Sequence, residues 1–146
     1  LLPEPGAVLS PRLGPGDRCV RTIRPRPLGG GIYDAGENIS GLVRIRTQAP
    51  RGSRIVLRFG ENLTPDGALD FASTGADYTC ASGRPQIMED TFISDGTERW
   101  FEPKFVWHAF RYFEVKGEIA EAEVLVIHTD EELSIARQTE KLVSSL

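Results

Sequence analysis

The chain has 146 residues, 40% of them hydrophobic, which is the length and apolar content of one domain that folds without a metal or disulfide framework. Its 17 basic and 21 acidic residues give a formal net charge of −4, so the surface has no basic excess for binding phosphates and no nucleic acid is expected as a partner. No apolar run approaches the roughly 18 residues of a transmembrane helix, so no membrane span is expected.

The first 16 residues contain four prolines and no hydrophobic period, which predicts an extended lead-in or linker. This segment has no basic stretch followed by an apolar one, and no initiator methionine. The chain is therefore expected to be a piece of a longer protein, and its sequence leaves the compartment, cytoplasmic or exported, open.

From Cys19 onward, short runs of β-forming residues alternate with turn clusters, a spacing typical of a sandwich or barrel. Residues 42–47 place arginines on one face and aliphatic side chains on the other, and residues 55–59 repeat this pattern after a turn. These two runs are predicted to form an antiparallel hairpin. Strands are predicted at residues 19–24, 42–47, 55–59, 87–94, 99–101, 104–116 and 123–128, with a further short strand after residues 30–33.

Residues 60–85 lack sustained periodicity and carry turn signals throughout, which predicts a long ordered loop of a kind that often has a function. After the last strand, Thr129 and Glu132 form a capping box, and the apolar residues that follow take helical spacing. The predicted fold class is all-β, an antiparallel, jelly-roll-like β-sandwich over residues 17–130 with a short C-terminal helix over residues 131–146.

The two cysteines, Cys19 and Cys80, are 61 positions apart, which fits neither a CxxC redox motif nor a zinc site. Two free thiols, buried or partly buried, are expected, with one disulfide as the alternative.

The common hydrolase and nucleotide-binding signatures are absent from the sequence. The two histidines, His108 and His128, have no serine or cysteine partner that the sequence can link to them. Both are expected to be packed or surface imidazoles, and no catalytic residue is assigned.

Residues 33–38 (YDAGEN) place oxygen-bearing side chains around a glycine just before a strand. There, Asp34, Glu37 and Asn38 could bind the hydroxyls of a sugar or a cation. The alternative, which is favoured, is a turn in which Asp34 and Asn38 cap backbone amides and Gly36 takes a positive φ.

Residues 61–70 (ENLTPDGALD) contain four carboxylate or amide side chains of the type that bind calcium. Their spacing does not match the EF-hand loop, and the Pro-Asp-Gly sequence is sufficiently explained as a tight turn. No cofactor is the first expectation, and calcium is the alternative, with Asp66 and Asp70 as candidate ligands. Glu61 and Asn62 are candidates for binding a sugar.

Seven aromatic residues lie between positions 100 and 113, among them both tryptophans of the chain, Trp100 and Trp107. In a strand, Phe105, Trp107 and Ala109 would share one face, which could stack on sugar rings. Packing in the core is the commoner role of such residues and is favoured.

Four stretches, residues 33–46, 57–69, 100–115 and 124–130, carry a D-x-G-[QE]-N turn, an L-R-x-x-E-x-L-x-x-D-G hairpin and an E-P-x-F-x-x-H-x-F-R-Y strand pair in that order. With them, residues 18–130 resemble the β-sandwich, concanavalin-like domain that precedes the catalytic domain in bacterial α-L-rhamnosidases. The chain departs from the family at three positions, where an aromatic residue, Gln and Gly are common: Ala35, Glu37 and Ala109.

The resemblance implies that this sandwich is accessory, because in such enzymes a separate α/α toroidal domain that follows it hydrolyses the rhamnoside with inversion. Two carboxylates of that domain act as general acid and general base. The implied partner is the catalytic toroid of the same parent chain, and residues 131–146 are expected to lie at its start. The motif residues would then be structural: Arg111 and Glu102 as ion-pair partners, Gly36 and Gly67 as turn formers, and Trp107 and Tyr112 in the core.

A second hypothesis is a carbohydrate-binding module for rhamnose-containing glycans, with calcium as an optional aid. Sugar hydroxyls would then be bound beside Trp100 or Trp107 by the five polar candidates, Asp34, Glu37, Asn38, Glu61 and Asn62. An independent enzyme is the third and least supported hypothesis.

Overall fold

The structure is a computed structural model, and it describes residues 18–74, 83, 87–128, 139–140 and 143–144. Among those residues the chain forms ten β-strands and one short 3-10 helix. They are β1 (Cys19–Ile23), β2 (Arg26–Gly29), β3 (Ile32–Thr47), β4 (Arg54–Gly60), β5 (Asn62–Leu63), β6 (Leu69–Asp70), η1 (Ala72–Thr74), β7 (Glu89–Ile93), β8 (Arg99–Phe101), β9 (His108–Lys116) and β10 (Glu121–Ile127). No helix in this described part of the chain is long and apolar enough to cross a membrane.

Strand β3 organises the sheet, because it pairs with four other strands along its 16 residues. The main path of the sheet runs β1-β10-β3-β9-β4-β7, and every pairing on it is antiparallel. Along one edge of β3, β2 pairs first and β10 follows; along the other edge, β9 pairs first and β8 follows. Strands β5 and β6 form a separate two-stranded sheet.

The main sheet folds over so that its strands enclose one core. Phe92 on β7 stacks on Phe101 on β8 with 4.4 Å between ring centroids, although these two strands are not neighbours in the sheet. Phe59, Phe110 and Phe113, from β4 and β9, are fully buried in the same cluster. The predicted all-β antiparallel sandwich is confirmed.

The alternation predicted for the second half of β3 is also confirmed. Ile45 is fully buried, whereas Arg44 and Arg46 on either side of it are about one-third exposed. On the outer face, Arg44 Nε donates a hydrogen bond to Glu123 at 2.8 Å, and Arg46 Nη2 donates to Glu121 at 3.2 Å. Each glutamate lies directly opposite its arginine on β10, so the two ion pairs stabilise this register.

The predicted hairpin between β3 and β4 is wrong, because β4 lies between β7 and β9. Ile55, Val56 and Leu57 are all buried, so β4 has apolar contacts on both faces and occupies an interior position of the sheet. The segment between β3 and β4 crosses the end of the sandwich, where the buried Ser94 hydroxyl donates to the Ala49 carbonyl oxygen at 2.6 Å.

The strand predicted from residue 104 begins only at His108, and residues 102–107 form a loop between β8 and β9. Pro103 has no amide hydrogen to donate to a neighbouring strand, which favours the end of β8 just before it. The alternation of residues 104–116 predicts that Phe105 and Trp107 share one face of a strand. This prediction is wrong, because both residues lie in the loop.

Strand β2 was not predicted, because Pro25 and Pro27 interrupt any strand signal there. The strand is exposed along its whole length and pairs with β3 alone among the described strands. An edge of this kind tolerates a proline, since the missing donor can face solvent.

Several predictions fall outside the described residues: the lead-in over residues 1–16, part of the long loop over residues 60–85, the capping box of Thr129 and Glu132, most of the helix over residues 131–146, and the state of Cys80. In the tail, the Ser144 amide donates to the Glu140 carbonyl oxygen at 2.9 Å, which is the bond of one helical turn. The Cys19 thiol is free, as expected, but it is exposed rather than buried or partly buried.

The aromatic cluster of β4 and β9 makes the core sensitive to truncation. Phe110 is fully buried and contacts the rings of Phe59 and Phe113. We expect Phe110→Ala to lower the free energy of unfolding by about 3–5 kcal/mol, measured by chemical denaturation. Ile93→Ala is the matched control on β7, because Ile93 is 54% exposed, and it should change stability by less than about 1 kcal/mol. Equal losses in the two variants would contradict this description of the core.

Candidate functional site

Asp34 lies at a bulge of β3 and is 4% exposed. Protein donors engage both of its carboxylate oxygens: Arg111 Nε donates at 3.0 Å, Arg26 Nη2 at 3.1 Å and the Gly36 amide at 2.7 Å. Gly36 has a φ of 92°, in the left-handed region that favours glycine. The structure thus has the predicted cap by Asp34 and the predicted positive φ at Gly36.

The hydrogen bond from Arg111 is the main reason why the pKa of Asp34 falls from 3.8 to about 2. Burial raises this pKa, but the Gly36 amide and the Arg26 guanidinium lower it further and outweigh that effect. Asp34 is therefore an ionised centre of an ion-pair network. Its occupied oxygens favour a structural role, and its binding of a sugar stays a prediction.

Glu37 and Asn38 follow Asp34 on the same strand, and both are exposed. Glu37 Oε1 accepts a hydrogen bond from Arg21 at 2.7 Å, and both side chains of this pair are more than half exposed. A sugar would have to displace Arg21 or share the carboxylate with it, so binding at Glu37 and Asn38 also stays a prediction.

The candidate calcium ligands lie at the β5–β6 hairpin. Gly67, with a φ of 86°, donates its amide to the Thr64 carbonyl oxygen at 2.9 Å, as its predicted role in a turn requires. The hydrogen bond with the Thr64 side chain lowers the pKa of Asp66. Asp70 Oδ1 accepts the Ala72 amide at 2.9 Å. Asp70 therefore makes the hydrogen bond of an Asx turn, and Asp66 makes a local bond with the Thr64 side chain.

Within the described residues, no group of three or more His, Cys, Asp or Glu side chains is arranged to hold a metal ion. Glu61 is half-buried and Asn62 is exposed at the start of the same hairpin. Calcium binding by Asp66 and Asp70, and sugar binding by Glu61 and Asn62, stay predictions.

The loop 102–107 and residues of β1, β3 and β10 line an open cleft of about 500 Å³, here called the aromatic cleft. Phe105 is fully exposed there, and Trp107 is 37% exposed. The expectation of Trp107 in the core is therefore wrong, because the loop carries this side chain to the outer face of the sheet. The described residues that line the cleft are Cys19, Leu42, Glu102, Pro103, Lys104, Phe105, Val106, Trp107, Leu125 and Ile127.

The charges of the aromatic cleft neutralise one another. Glu102 accepts a hydrogen bond from Lys104 at 2.9 Å and lies 3.8 Å from Arg44. The predicted pairing of Glu102 with Arg111 is wrong, because Arg111 binds Asp34 instead. A glycosidase needs two carboxyl groups that flank the bond to be broken, roughly 5–9.5 Å apart. Among the described residues that line this cleft, Glu102 is the one acidic residue.

The two tryptophans have different surroundings. Trp100 on β8 is 37% exposed and lies under the Arg44 guanidinium, 4.9 Å from the ring centroid, whereas Trp107 lines the aromatic cleft. Tyr112, which was expected in the core, is half-buried, and the Arg111 guanidinium lies 5.0 Å from the centroid of its ring. The described lining of the cleft includes Trp107 and none of the five polar sugar-binding candidates.

Sequence reasoning missed a buried pair between β7 and β9. His108 Nε2 lies 3.1 Å from Asp90 Oδ1, and the His108 ring stacks on Phe59 with 4.2 Å between centroids. About nine-tenths of each of the two side chains is buried, and Asp90 Oδ2 is buried without a hydrogen-bond partner. His108 is a packed imidazole, as predicted. The signal for Asp90 was available, since it shares a strand face with the buried Phe92.

Because the pKa of Asp34 is lower in the folded chain than in the unfolded chain, its ion pairs stabilise the fold above about pH 4, and this contribution is lost as the pH falls toward 2. We expect Asp34→Asn to lower the free energy of unfolding at pH 7 by about 1–2 kcal/mol, since solvent screens the partly exposed arginines. Denaturation measured between pH 4 and 2 should show a smaller decline in the variant than in the wild type.

Glu37→Gln is the control for this test on the same strand. Its ion pair with Arg21 is exposed, so the change in stability should be below about 1 kcal/mol and the pH dependence should follow the wild type. A wild-type pH dependence in Asp34→Asn would contradict the assignment of the network to Asp34.

Comparison with solved structures places the fold among rhamnosidases. The chain superimposes on alpha-L-rhamnosidase from Dictyoglumus thermophilum with a TM-score of 0.65 and 28% identity, over 80% of this chain and 14% of that one. The native alpha-L-rhamnosidase from Aspergillus terreus gives a TM-score of 0.66 and 25% identity over the same shares. The Streptomyces avermitilis alpha-L-rhamnosidase complexed with L-rhamnose gives 0.63 and 29%, over 77% of this chain and 11% of that one.

Sequence comparison agrees with the structural result. An alpha-L-rhamnosidase of Streptomyces avermitilis is 37% identical over 98 residues, which are 66% of this chain and 8% of the relative. One from Formosa agariphila is 39% identical over 87 residues, which are 59% of this chain and 9% of the relative. The chain thus spans less than a tenth of the length of these relatives. Since residues 26–137 match the profile of the bacterial alpha-L-rhamnosidase concanavalin-like domain, the chain belongs to that family.

Proposed function

We propose that this chain is a non-catalytic β-sandwich domain of a longer α-L-rhamnosidase, a glycoside hydrolase that releases terminal rhamnose, and that it supports or orients the catalytic domain. Its partner is the α/α toroidal catalytic domain of the same parent chain. The observation that carries the proposal is the carboxylate chemistry of the aromatic cleft, where the described lining offers one acidic residue, Glu102, already paired with Lys104.

The ion pairs of two buried acids, Asp34 and Asp90, support the same role. Asp34 is held by two arginines, and Asp90 is held by His108 in the interior. Neither carboxylate is available as a general acid or general base on a bound glycoside, since each is buried and used within the fold. Membership of the family and the small share of each relative that the chain covers fit one domain of a larger enzyme.

A carbohydrate-binding module is the second candidate, and it would use the residues predicted above with calcium as an optional aid. The observation in its favour is the partial exposure of Trp100 and Trp107, since indole rings are common stacking surfaces for sugars. Against it, the polar candidates Asp34 and Glu37 are already paired with arginines.

Two measurements on the purified 146-residue chain test these roles. Incubation with an aryl α-L-rhamnoside should release no phenol above the uncatalysed background, because the described lining of the cleft holds one acidic residue, Glu102, rather than a facing pair. Release above background would contradict the non-catalytic assignment.

The second measurement titrates L-rhamnose and rhamnosides while tryptophan fluorescence is recorded, with and without calcium. Both tryptophans are exposed enough to report binding. We expect a flat response, because the paired acids offer few free acceptors for sugar hydroxyls. Saturable quenching that is lost in Trp107→Ala or in Trp100→Ala would support the carbohydrate-binding module instead and would locate the site.

A further inference from the structure

The aromatic cleft exposes more apolar surface than the fold requires. Phe105 is fully exposed, and Val106 and Trp107 are 38% and 37% exposed, on a loop that also contains Pro103. Contiguous exposed apolar patches on a protein often mark sites of interaction with another protein.

Beneath the loop, the outer face of the sheet is apolar at one end, whereas its other end carries the ion pairs of Arg44 and Arg46. Leu42, Leu125 and Ile127 form a small cluster that is separate from the core of the sandwich, and all three line the cleft. Neighbouring positions on β3 and β10 point inward into the main core, as Val43 and Val124 do. Each of the three cluster residues is less than a tenth exposed, so they form the floor of the cleft, and its exposed apolar surface belongs to Phe105, Val106 and Trp107.

The charge of the cleft favours an apolar protein surface over a sugar or a charged ligand. Glu102 and Lys104 are the charged residues among its described lining, and they are paired with each other at 2.9 Å. A sugar requires several unpaired donors and acceptors to replace its bonds to water. A charged ligand would find no net opposite charge here.

The first and last strands of the sandwich reach the edge of the cleft. Cys19 at the start of β1 pairs with Ile127 at the end of β10, and both residues line the cleft. The polypeptide that continues after His128 therefore leaves the sandwich at the edge of this surface. The relatives are more than ten times longer than the matched segment, so most of such an enzyme lies beyond the sandwich.

Building on the proposed function, we infer that the aromatic cleft is the docking surface for an apolar face of the domain that follows His128 in the longer enzyme, with Phe105 and Trp107 as its central contacts. Large aromatic side chains at the centre of a contact carry most of the binding energy in protein interfaces. The neutral pair of Glu102 and Lys104 forms part of the polar rim.

Cys19 provides a native reporter, because it is a free, exposed thiol inside the cleft. The experiment compares the rate of alkylation of Cys19 by iodoacetamide in the 146-residue chain and in the longer enzyme, with peptide mass mapping to separate Cys19 from Cys80. We expect the rate in the longer enzyme to be lower by about tenfold or more, as a docked surface covers the thiol. Phe105→Ser in the longer enzyme should remove most of that protection.

Two controls separate docking from folding. In the 146-residue chain, Phe105→Ser should leave the melting temperature unchanged within about 2 °C, because Phe105 has no buried surface to lose. Ile93→Ser in the longer enzyme replaces an exposed apolar residue outside the lining of the cleft and should keep Cys19 protected.

Equal alkylation of Cys19 in the short and long proteins would overturn the inference. So would protection in the short chain that rises with its concentration, which would indicate a second copy, or protection of the short chain by L-rhamnose, which would indicate a sugar site. A longer protein that hydrolyses rhamnosides but leaves Cys19 unprotected would refute the docking surface alone. A longer protein without rhamnosidase activity would refute the proposed function itself.

Discussion

A bulge between Asp34 and Ile39 divides the long strand β3 into two parts with different neighbours. Strand β2 pairs before the bulge, and β10 and β8 pair after it. Pairing with β9 stops at Asp34 and resumes at Ile39 in a shifted register. The bulge places Gly36 in the left-handed region and lets Asp34 accept hydrogen bonds from its own strand and from Arg111 on β9. A charge-assisted contact between β3 and β9, whose carboxylate is buried, thus lies at the point where the register of the two strands shifts.

Beyond the bulge, Gly41 is the position where β3 contacts β9 and β10 at once. It lies opposite His108 on one side and Val126 on the other. A Cβ atom at this position would lie within 2.3 Å of the Leu125 carbonyl oxygen, so the backbones approach more closely than any side chain permits. His108, opposite Gly41, is the first residue of β9 and follows directly on the loop 102–107.

Local alternation was sufficient to predict the faces of the second half of β3, because a period of two determines which side chains are buried whichever strand lies alongside. It could not predict the partners, which come from distant parts of the chain. Asp34 was singled out from its neighbours in sequence, but Arg111, which defines its role, is 77 positions away. The density of aromatic residues around Trp107 favoured one long strand. In the structure, β8 pairs with β3 only up to Phe101, Pro103 follows, and residues 102–107 form a loop.

The neighbouring positions of β1 and β10 have a consequence for how the sandwich can be combined with other domains. Directly paired residues such as Cys19 and Ile127 have Cα atoms about 5 Å apart. A unit whose two ends are that close can be spliced into a surface turn of another protein without forcing the flanking segments apart. Insertion or removal of the whole unit would then leave the distance between the flanking segments of its host nearly unchanged. The sandwich therefore would not act as a spacer between the segments on either side of it.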